Sequence, residues 1–335
     1  MESVCCIFCR KNETHSLFLA SGTMPNRGQF QLARCVACRL IYLNPRPSAE
    51  ELKTYYPAWT VSAEQEALAE VTPEETRKRE MWKYHLLPAN LKKGGGSVLD
   101  IGAGAGEFLY LMREKGWQTT GVEPSPVTSR YAREAFGLEV LTGTLPEVVF
   151  SPESFDLITL WDVLEHLPDP LDVMKKVASL LKESGKVVFS TPNIEGLPAR
   201  WFKNAWYTNV PRHLYFFSPG TLQLLLQQSG LELTAIRHHH SLFTPTSFAS
   251  SFKRWLLGQS LSFDKKAREW LETAQRNSPR THASPVFQIK TLLEQTLECV
   301  SLPVALFCIL THQAPNLTVY ATKPSSHQAV GADLV

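Results

Sequence analysis

From Ser97 onward the hydrophobic pattern switches repeatedly between two periods, and this constrains the fold more than any other feature of the chain. The apolar runs "SVLDIG", "QTTGVE", "LEVLTG", "FDLITLWD" and "GKVVFSTP" read as strands. Helical patterns over 105–115, 126–136 and 170–182 are interleaved with them. A long loop, a helix over 218–229 and a strand over 231–237 follow, and "NLTVYATKP" at 316–324 reads as a last strand. Strands and helices alternating through short connections predict an α/β domain, a mostly parallel sheet with both faces covered. Ligands of such sheets bind beyond the carboxyl ends of the strands. Function is therefore sought along that edge.

The first strand enters the edge as "VLDIGAGAGEF", residues 98–108. Gly102, Gly104 and Gly106 allow a tight turn and close approach of backbone to a ligand. Their spacing is G-x-G-x-G, not the G-x-G-x-x-G of dinucleotide-binding dehydrogenases, and Asp100 stands two residues ahead. A carboxylate there suits a cationic or hydroxyl-rich ligand better than a pyrophosphate, so a nicotinamide oxidoreductase is disfavoured. Glu123 closes the second strand, where an acid can accept hydrogen bonds from both hydroxyls of a ribose.

The cysteines mark a separate region. Five of seven fall within the first 38 residues, and Cys6 with Cys9 and Cys35 with Cys38 form two C-x-x-C pairs. Two such knuckles complete a tetrahedral thiolate site, which suits structural zinc. A segment this short buries little core, so a metal would supply folding energy. A redox pair or lapsed ligands are the alternatives, and Cys5 is a lesser substitute for Cys6. Cys299 and Cys308 lie in an apolar run and are expected to be buried bystanders. Ser48 and Glu51 make a capping-box helix start; 60–73 reads as a linker and 74–93 as a lead-in helix ending at "GGG".

The expected organisation is a zinc-ribbon-like module at 1–45 and linker and lead-in helices at 46–93. The main domain takes 94–242 and 314–324, a helical insertion 243–313, and a disordered tail 325–335. With a net charge of +2 over 335 residues there is no bulk electrostatic case for nucleic acid. The first residues lack the apolar core of a signal peptide, and no apolar run reaches the ~18 residues of a membrane span, so a cytoplasmic protein is expected.

These residues resemble the class I S-adenosylmethionine-dependent methyltransferases. "VLDIGAGAGEF" is similar to their first motif, "GVEPS" to the second, "FDLITLWDVLEHLPDP" to the strand-four segment and "GKVVFSTPN" to the strand-five segment. The resemblance implies a Rossmann-like seven-stranded sheet, mostly parallel with an antiparallel last strand. It implies S-adenosylmethionine as cofactor, with Asp100 and Gly102 to Gly106 at its methionine end and Glu123 on its ribose. Thr144 and Leu145 would lie near the adenine, and Trp161 and Asp162 would line the cofactor. Cysteine knuckles ahead of such a domain resemble a bacterial subset that includes sugar C-methyltransferases.

Methyl transfer to a hydroxyl or carbon acid needs an oriented acceptor and a base. The 28 residues from Thr191 to Ser218 overhang the ligand edge and carry Asn193, Trp206, Tyr207, Arg212, His213 and Tyr215. His213 is the first candidate base and His166 its rival. In quinone O-methyltransferases, which this segment resembles, acids and a histidine here can hold a divalent ion; Asp162, Glu165 and His166 match that type. His238, His239 and His240 read as an irregular strand end. Helices are expected over 246–258, 263–277 and 284–311, the last ending in "CVSLPVALFCIL". A cap or dimer contact is the plainer reading of this insertion; peripheral membrane contact, reaching a lipid-linked acceptor, is the sharper one. The function expected is methylation of a small hydroxyl or carbon acid: a quinone precursor, a sugar nucleotide or a lipid-linked glycan. O-methylation is favoured over sugar C-methylation, and a non-catalytic S-adenosylmethionine-binding scaffold is the alternative from another class.

Overall fold

The computed structural model describes residues 1–20, 30–48, 50–52, 73–239, 251–252, 254–255 and 307–324. The chain opens with strands β1 (Thr14–Leu19), β2 (Gln31–Cys35) and β3 (Ile41–Leu43), followed by the lead-in helix α1 (Pro73–Leu86). The alternating region runs β4 (Ser97–Ile101), α2 (Glu107–Glu114), β5 (Gln118–Glu123), α3 (Pro126–Phe136), β6 (Glu139–Thr142), β7 (Phe155–Trp161), α4 (Pro170–Leu180) and β8 (Leu181–Pro192). After it come α5 (Leu197–Phe202), β9 (Tyr215–Phe216), α6 (Pro219–Gln228), β10 (Glu232–His239) and β11 (Asn316–Thr322).

Seven strands form the main sheet in the order β10-β11-β8-β7-β4-β5-β6. The pairs from β8 to β6 are parallel, whereas β11 is antiparallel to both β8 and β10. The expected architecture is therefore present. From β4 the chain crosses one way to β5 and β6, then back to β7 and β8. This places a topological switch, and hence a crevice, between β4 and β7.

Local chemistry sets the helix ends. Ser125, Asp169 and Ser218 accept hydrogen bonds from the first turns of α3, α4 and α6, and proline takes the first helical position each time. The expected capping box holds: Ser48 N–H reaches Glu51 Oε2 at 2.9 Å and Glu51 N–H reaches Ser48 Oγ at 3.3 Å. Helix α1 stops at Leu86, short of the 93 expected, because Pro88 cannot donate and restrains the residue before it. β10 shifts register between Leu233 and Ala235 and then pairs regularly to His239, with His238 opposite Leu317 and His239 opposite Asn316, so these two histidines belong to a paired strand rather than to an irregular end. His240 lies outside the described residues.

Two apolar layers cover the sheet. On one face Leu87, Leu91, Phe108, Leu109, Met112 and Trp161 pack under α1 and α2. The other layer runs from Leu171, Met174, Leu222 and Leu225 of α4 and α6 without a break to Leu32, Leu40 and Leu43 of the N-terminal strands. A second sheet, β1-β2-β3-β9, makes that continuity: its first three strands precede residue 45, and its fourth comes from the loop after β8.

Most of the expected insertion lies outside the described residues, as do Cys299, Val304 and Leu306. Within it, 307–310 form a helical turn. There Cys308 is buried as expected, while Phe307, Ile309 and Leu310 are exposed. No described helix is long and apolar enough to cross a membrane.

Candidate cofactor and acceptor site

Asp100 lies within β4 and is buried. Its Oδ1 accepts the hydroxyl hydrogen of Thr159, its neighbour on β7, at 2.6 Å. Burial pushes its pKa up to about 7, despite the opposing influence of Lys83 and Thr159. Glu123 ends β5; its Oε2 accepts the N–H of Gly104 and its Oε1 that of Ser125, both at 2.8 Å. Burial raises its pKa as well, against those two bonds.

Between the two acids runs the glycine loop, with φ of 74°, 56° and 81° at Gly102, Gly104 and Gly106. A Cβ on Gly106 would come within 2.6 Å of Leu138 and 2.8 Å of Ala132, so α2 packs on α3 only with glycine there. A Cβ on Gly104 would meet nothing within 4 Å. Gly104 thus turns an open backbone face toward whatever binds, its N–H held by Glu123.

The other expected cofactor residues flank this loop. Gly143 N–H reaches the Glu123 carbonyl at 3.0 Å and brings Thr144 beside it. Thr144 caps a short turn through Glu147, and Leu145 is buried. Trp161 ends β7, packed edge-on against Phe108 at 5.3 Å and Trp82 at 5.8 Å. Its Nε1 has no partner among the described residues. Asp162 is exposed, at φ 55°, and its Oδ1 accepts the Ser190 hydroxyl at 2.7 Å.

Sequence reasoning missed what α1 contributes. Lys83 Nζ pairs with Glu80 at 2.6 Å, and Glu80 is buried. Burial alone would lower the Lys83 pKa, but Glu80 and Asp100 raise it overall. One cation thus stands among Glu80, Asp100 and Asp162. The available signal was the i,i+3 acid–base pair beside Trp82 and Tyr84 in "EMWKYHLL", a charged pair set among large rings.

The two candidate bases meet. His166 lies in the turn after β7 and His213 in the loop before β9, with ring centroids 4.6 Å apart at 77°. His166 Nδ1 is 3.1 Å from the Arg212 carbonyl, so that nitrogen carries the hydrogen. Burial lowers its pKa to about 4, with help from Arg212, and lowers that of His213 well below the usual value. Both rings are neutral near pH 7. His213 Nδ1 has no hydrogen-bond partner among the described residues. Glu165 is buried next to them, its Oε2 accepting the Thr191 hydroxyl at 3.1 Å. Burial, then Asp162, raises its pKa well above the usual carboxylate range. Ligand atoms of Glu165, His166 and His213 all lie within 4.8 Å of one another. The sequence grouped Asp162 with Glu165 and His166; the fold puts His213 in its place. Asn193 is structural, bonding Ala314 O and Glu195 N.

At the N-terminus the two cysteine knuckles repeat one geometry. Arg10 N–H bonds Cys6 O at 2.9 Å and Arg39 N–H bonds Cys35 O at 3.0 Å. Cys6 N–H bonds Lys11 O at 3.0 Å and Cys35 N–H bonds Leu40 O at 2.9 Å. Arg10 and Arg39 take φ of 56° and 65°. The closest thiols are cross-pairs, Cys6 with Cys38 and Cys9 with Cys35, each at 3.3 Å. All four Sγ atoms therefore surround one point, within 4.8 Å of each other, rather than forming two separate redox pairs. Burial opposes ionisation of Cys35, but the Cys38 N–H and the Cys9 thiol bring it down to about 7.

The methyltransferase domain family matches residues 74–236. A ubiquinone biosynthesis O-methyltransferase of Aliivibrio fischeri is 37% identical over 167 residues, covering 44% of this chain and 68% of that protein. That of Idiomarina loihiensis is 31% identical over 161 residues, 42% of this chain and 64% of its own length. The chain therefore spans under two thirds of the Idiomarina protein. A chain in the complex of the Haloferax volcanii Trm112 methyltransferase activator with a methyltransferase shares the fold, with a TM-score of 0.50 at 14% identity over 80% of this chain and 97% of that one. The protein belongs to the class I S-adenosylmethionine-dependent methyltransferases. The seven-stranded, mostly parallel sheet with its antiparallel β11 is the fold it shares with the Haloferax neighbour.

Proposed function

We propose that the chain binds S-adenosylmethionine at the carboxyl ends of β4 and β5 and transfers its methyl group to a hydroxyl of a small acceptor of the quinone-precursor class. The observation that carries this is the placement of Asp100 and Glu123 at adjacent strand ends. The His166–His213 pair lies on segments that follow β7 and β8, on the other side of the switch point. Asp100 meets the ammonium of the methionine end, and Lys83 supplies a cation for its carboxylate. Glu123 accepts the ribose hydroxyls while keeping the Gly104 N–H, since a carboxylate has lone pairs for both. Thr144 and Leu145 lie toward the adenine, Trp161 and Asp162 along the cofactor. When bound, the cofactor supplies an electrophilic methyl group on a sulfonium. The neutral His213 or His166 takes the proton of the acceptor hydroxyl. Glu165 lies beside both rings, where its carboxyl can accept a hydrogen bond from the imidazolium that forms.

The four cysteines fit zinc, since thiolate donors converge on one point from two matched knuckles. Zinc there would be structural, closing a segment with little core of its own. Likeness to the ubiquinone biosynthesis enzymes supports O- over C-methylation.

The test is to incubate the purified chain with methyl-labelled S-adenosylmethionine and, separately, ortho-hydroxyphenols, nucleotide sugars and a lipid extract. Labelled hydroxyphenol that loses its label on ether cleavage is expected. Label retained on carbon would favour the C-methyltransferase reading, and cofactor binding without product from any class the scaffold reading.

A further inference from the structure

Strand β9 belongs to two structures at once. Tyr215 and Phe216 are the edge of the cysteine-bearing sheet, opposite Tyr42 and Ile41. One residue earlier, Leu214 is gripped from both sides: its carbonyl accepts the N–H of Leu43 at 2.9 Å, and its N–H bonds Glu165 O at 2.8 Å. The first bond reaches into the N-terminal sheet and the second into the turn that carries His166. His213 is the next residue back. Arg46 fastens the same junction, with Nη1 2.8 Å from Pro168 O and 3.0 Å from the Tyr215 hydroxyl, and Nε 2.8 Å from Glu2 Oε1. The Tyr215 hydroxyl donates to Pro168 O at 3.1 Å, and Asn209 Nδ2 bonds Leu19 O at 3.1 Å.

We propose that the cysteine-bearing sheet is the positioning element of the acceptor side: through β3, Leu43 and Arg46 it fixes the backbone of His213–Phe216, and so the geometry of the His166–His213 pair. This rests on the reading of that pair as the proton-accepting groups. The strands involved cannot hold register themselves. β3 has three residues and β9 two, far below the length at which a strand pair is stable in water. What sets β3 is the hairpin from Cys35 through Cys38 to Leu40, the segment that a metal on the four thiols would lock. Metal loading of a module remote in sequence therefore governs the order of the acceptor-side loop, while the cofactor acids, on β4 and β5 of the other sheet, keep their places.

The experiment uses the full chain with measured zinc content. Amide exchange is followed over 31–43 and 212–217, imidazole signals by NMR, and S-adenosylhomocysteine affinity by calorimetry. Arg46→Ala should speed exchange at Leu214–Phe216 at least tenfold and shift the His166 and His213 ring signals. Affinity for S-adenosylhomocysteine should stay within twofold, and Arg46→Lys should recover part of the change. Withdrawing zinc with a chelator should do the same more strongly. The proposal is overturned if the ring signals stay fixed in Arg46→Ala, or if 31–43 opens on chelation while 212–217 stays protected. A chain that carries no zinc would sink the metal reading alone, because the Arg46 variants still decide this one. Wild type that fails to bind S-adenosylhomocysteine would sink the methyltransferase reading instead.

Discussion

Replacing Asp100 with asparagine should stabilise the empty protein and weaken its grip on the cofactor, with both effects governed by pH. The Asp100 carboxyl is buried, and its pKa rises from 3.8 to about 7. An acid whose folded pKa exceeds its unfolded value keeps its proton in the fold after the unfolded chain has released it. Stability therefore falls as pH climbs from about 4 to about 7 and stays low above that. At 1.36 kcal/mol per pKa unit, this shift of about three units destabilises the empty fold by roughly 4 kcal/mol at pH 7. Asparagine can still accept from Thr159, and Lys83 keeps Glu80, so Asp100→Asn should remove most of that burden. Its melting point should exceed that of wild type above pH 7, and the two should converge near pH 4.

Binding reverses the sign. A ligand ammonium beside Asp100 favours the carboxylate, so binding to wild type releases a proton. The ionised fraction climbs from about a tenth at pH 6 to about nine tenths at pH 8, so S-adenosylhomocysteine affinity should rise about tenfold over that interval. Asp100→Asn should bind more weakly and with no such slope. Calorimetry at pH 7 in two buffers of different ionisation enthalpy should show about half a proton released per ligand by wild type and none by the variant. Wild-type affinity flat from pH 6 to 8, together with no proton release, would refute the placement of the ligand's ammonium at Asp100.

Glu123→Ala removes an acceptor shared by Gly104 and the ribose hydroxyls and should cost about 1–3 kcal/mol of S-adenosylhomocysteine affinity; an unchanged dissociation constant would sink the ribose assignment. Metal analysis should find about one zinc per chain, by the four-thiolate rule, and Cys35→Ser should lose it while still binding the cofactor; metal content untouched by that change would rule out this site. His213→Ala should abolish methyl transfer with cofactor affinity kept within about twofold, because the ring lies outside the cofactor acids. The kcat profile should lack the limb near pH 6.5 of an ordinary histidine, its acid limb falling instead toward the His166 value of about 4. A limb at 6.5 would show that neither ring is the base.

Periodicity made the seven-stranded sheet legible, because each strand between β4 and β8 is a short apolar run bounded by turn residues. The two C-x-x-C spacings made the thiol cluster legible for a similar reason: four residues at short separations suffice to state it. Lys83 was not, since α1 is mostly polar and shows no apolar stripe; it reads as a solvated helix. Only when α1 packs across α2, with Tyr320 Oη donating to Leu86 O at 2.6 Å, do Glu80 and Lys83 face Asp100 rather than water. The end of α1 and the extension of β10 were boundary matters, decided by Pro88 and by the length of β11.

The least legible feature is the one on which the acceptor side depends. A two-residue strand has no period to detect, and "YFF" at 215–217 is apolar enough for a core loop of any kind. Its identity as a strand comes from an edge supplied by β3, and Arg46 and Tyr215 stand 169 residues apart in the chain. Such a strand exists only once both partners have folded. Reading the cysteines as a self-contained module and the loop as a free overhang was therefore the natural outcome of treating each segment alone. The fold joins them because β3 would otherwise expose an unpaired edge, and the loop would otherwise leave the Leu214 carbonyl without the Leu43 N–H. The same bond that satisfies the edge orders the histidines, so a change in the first 45 residues should be felt at the acceptor and not at the ribose.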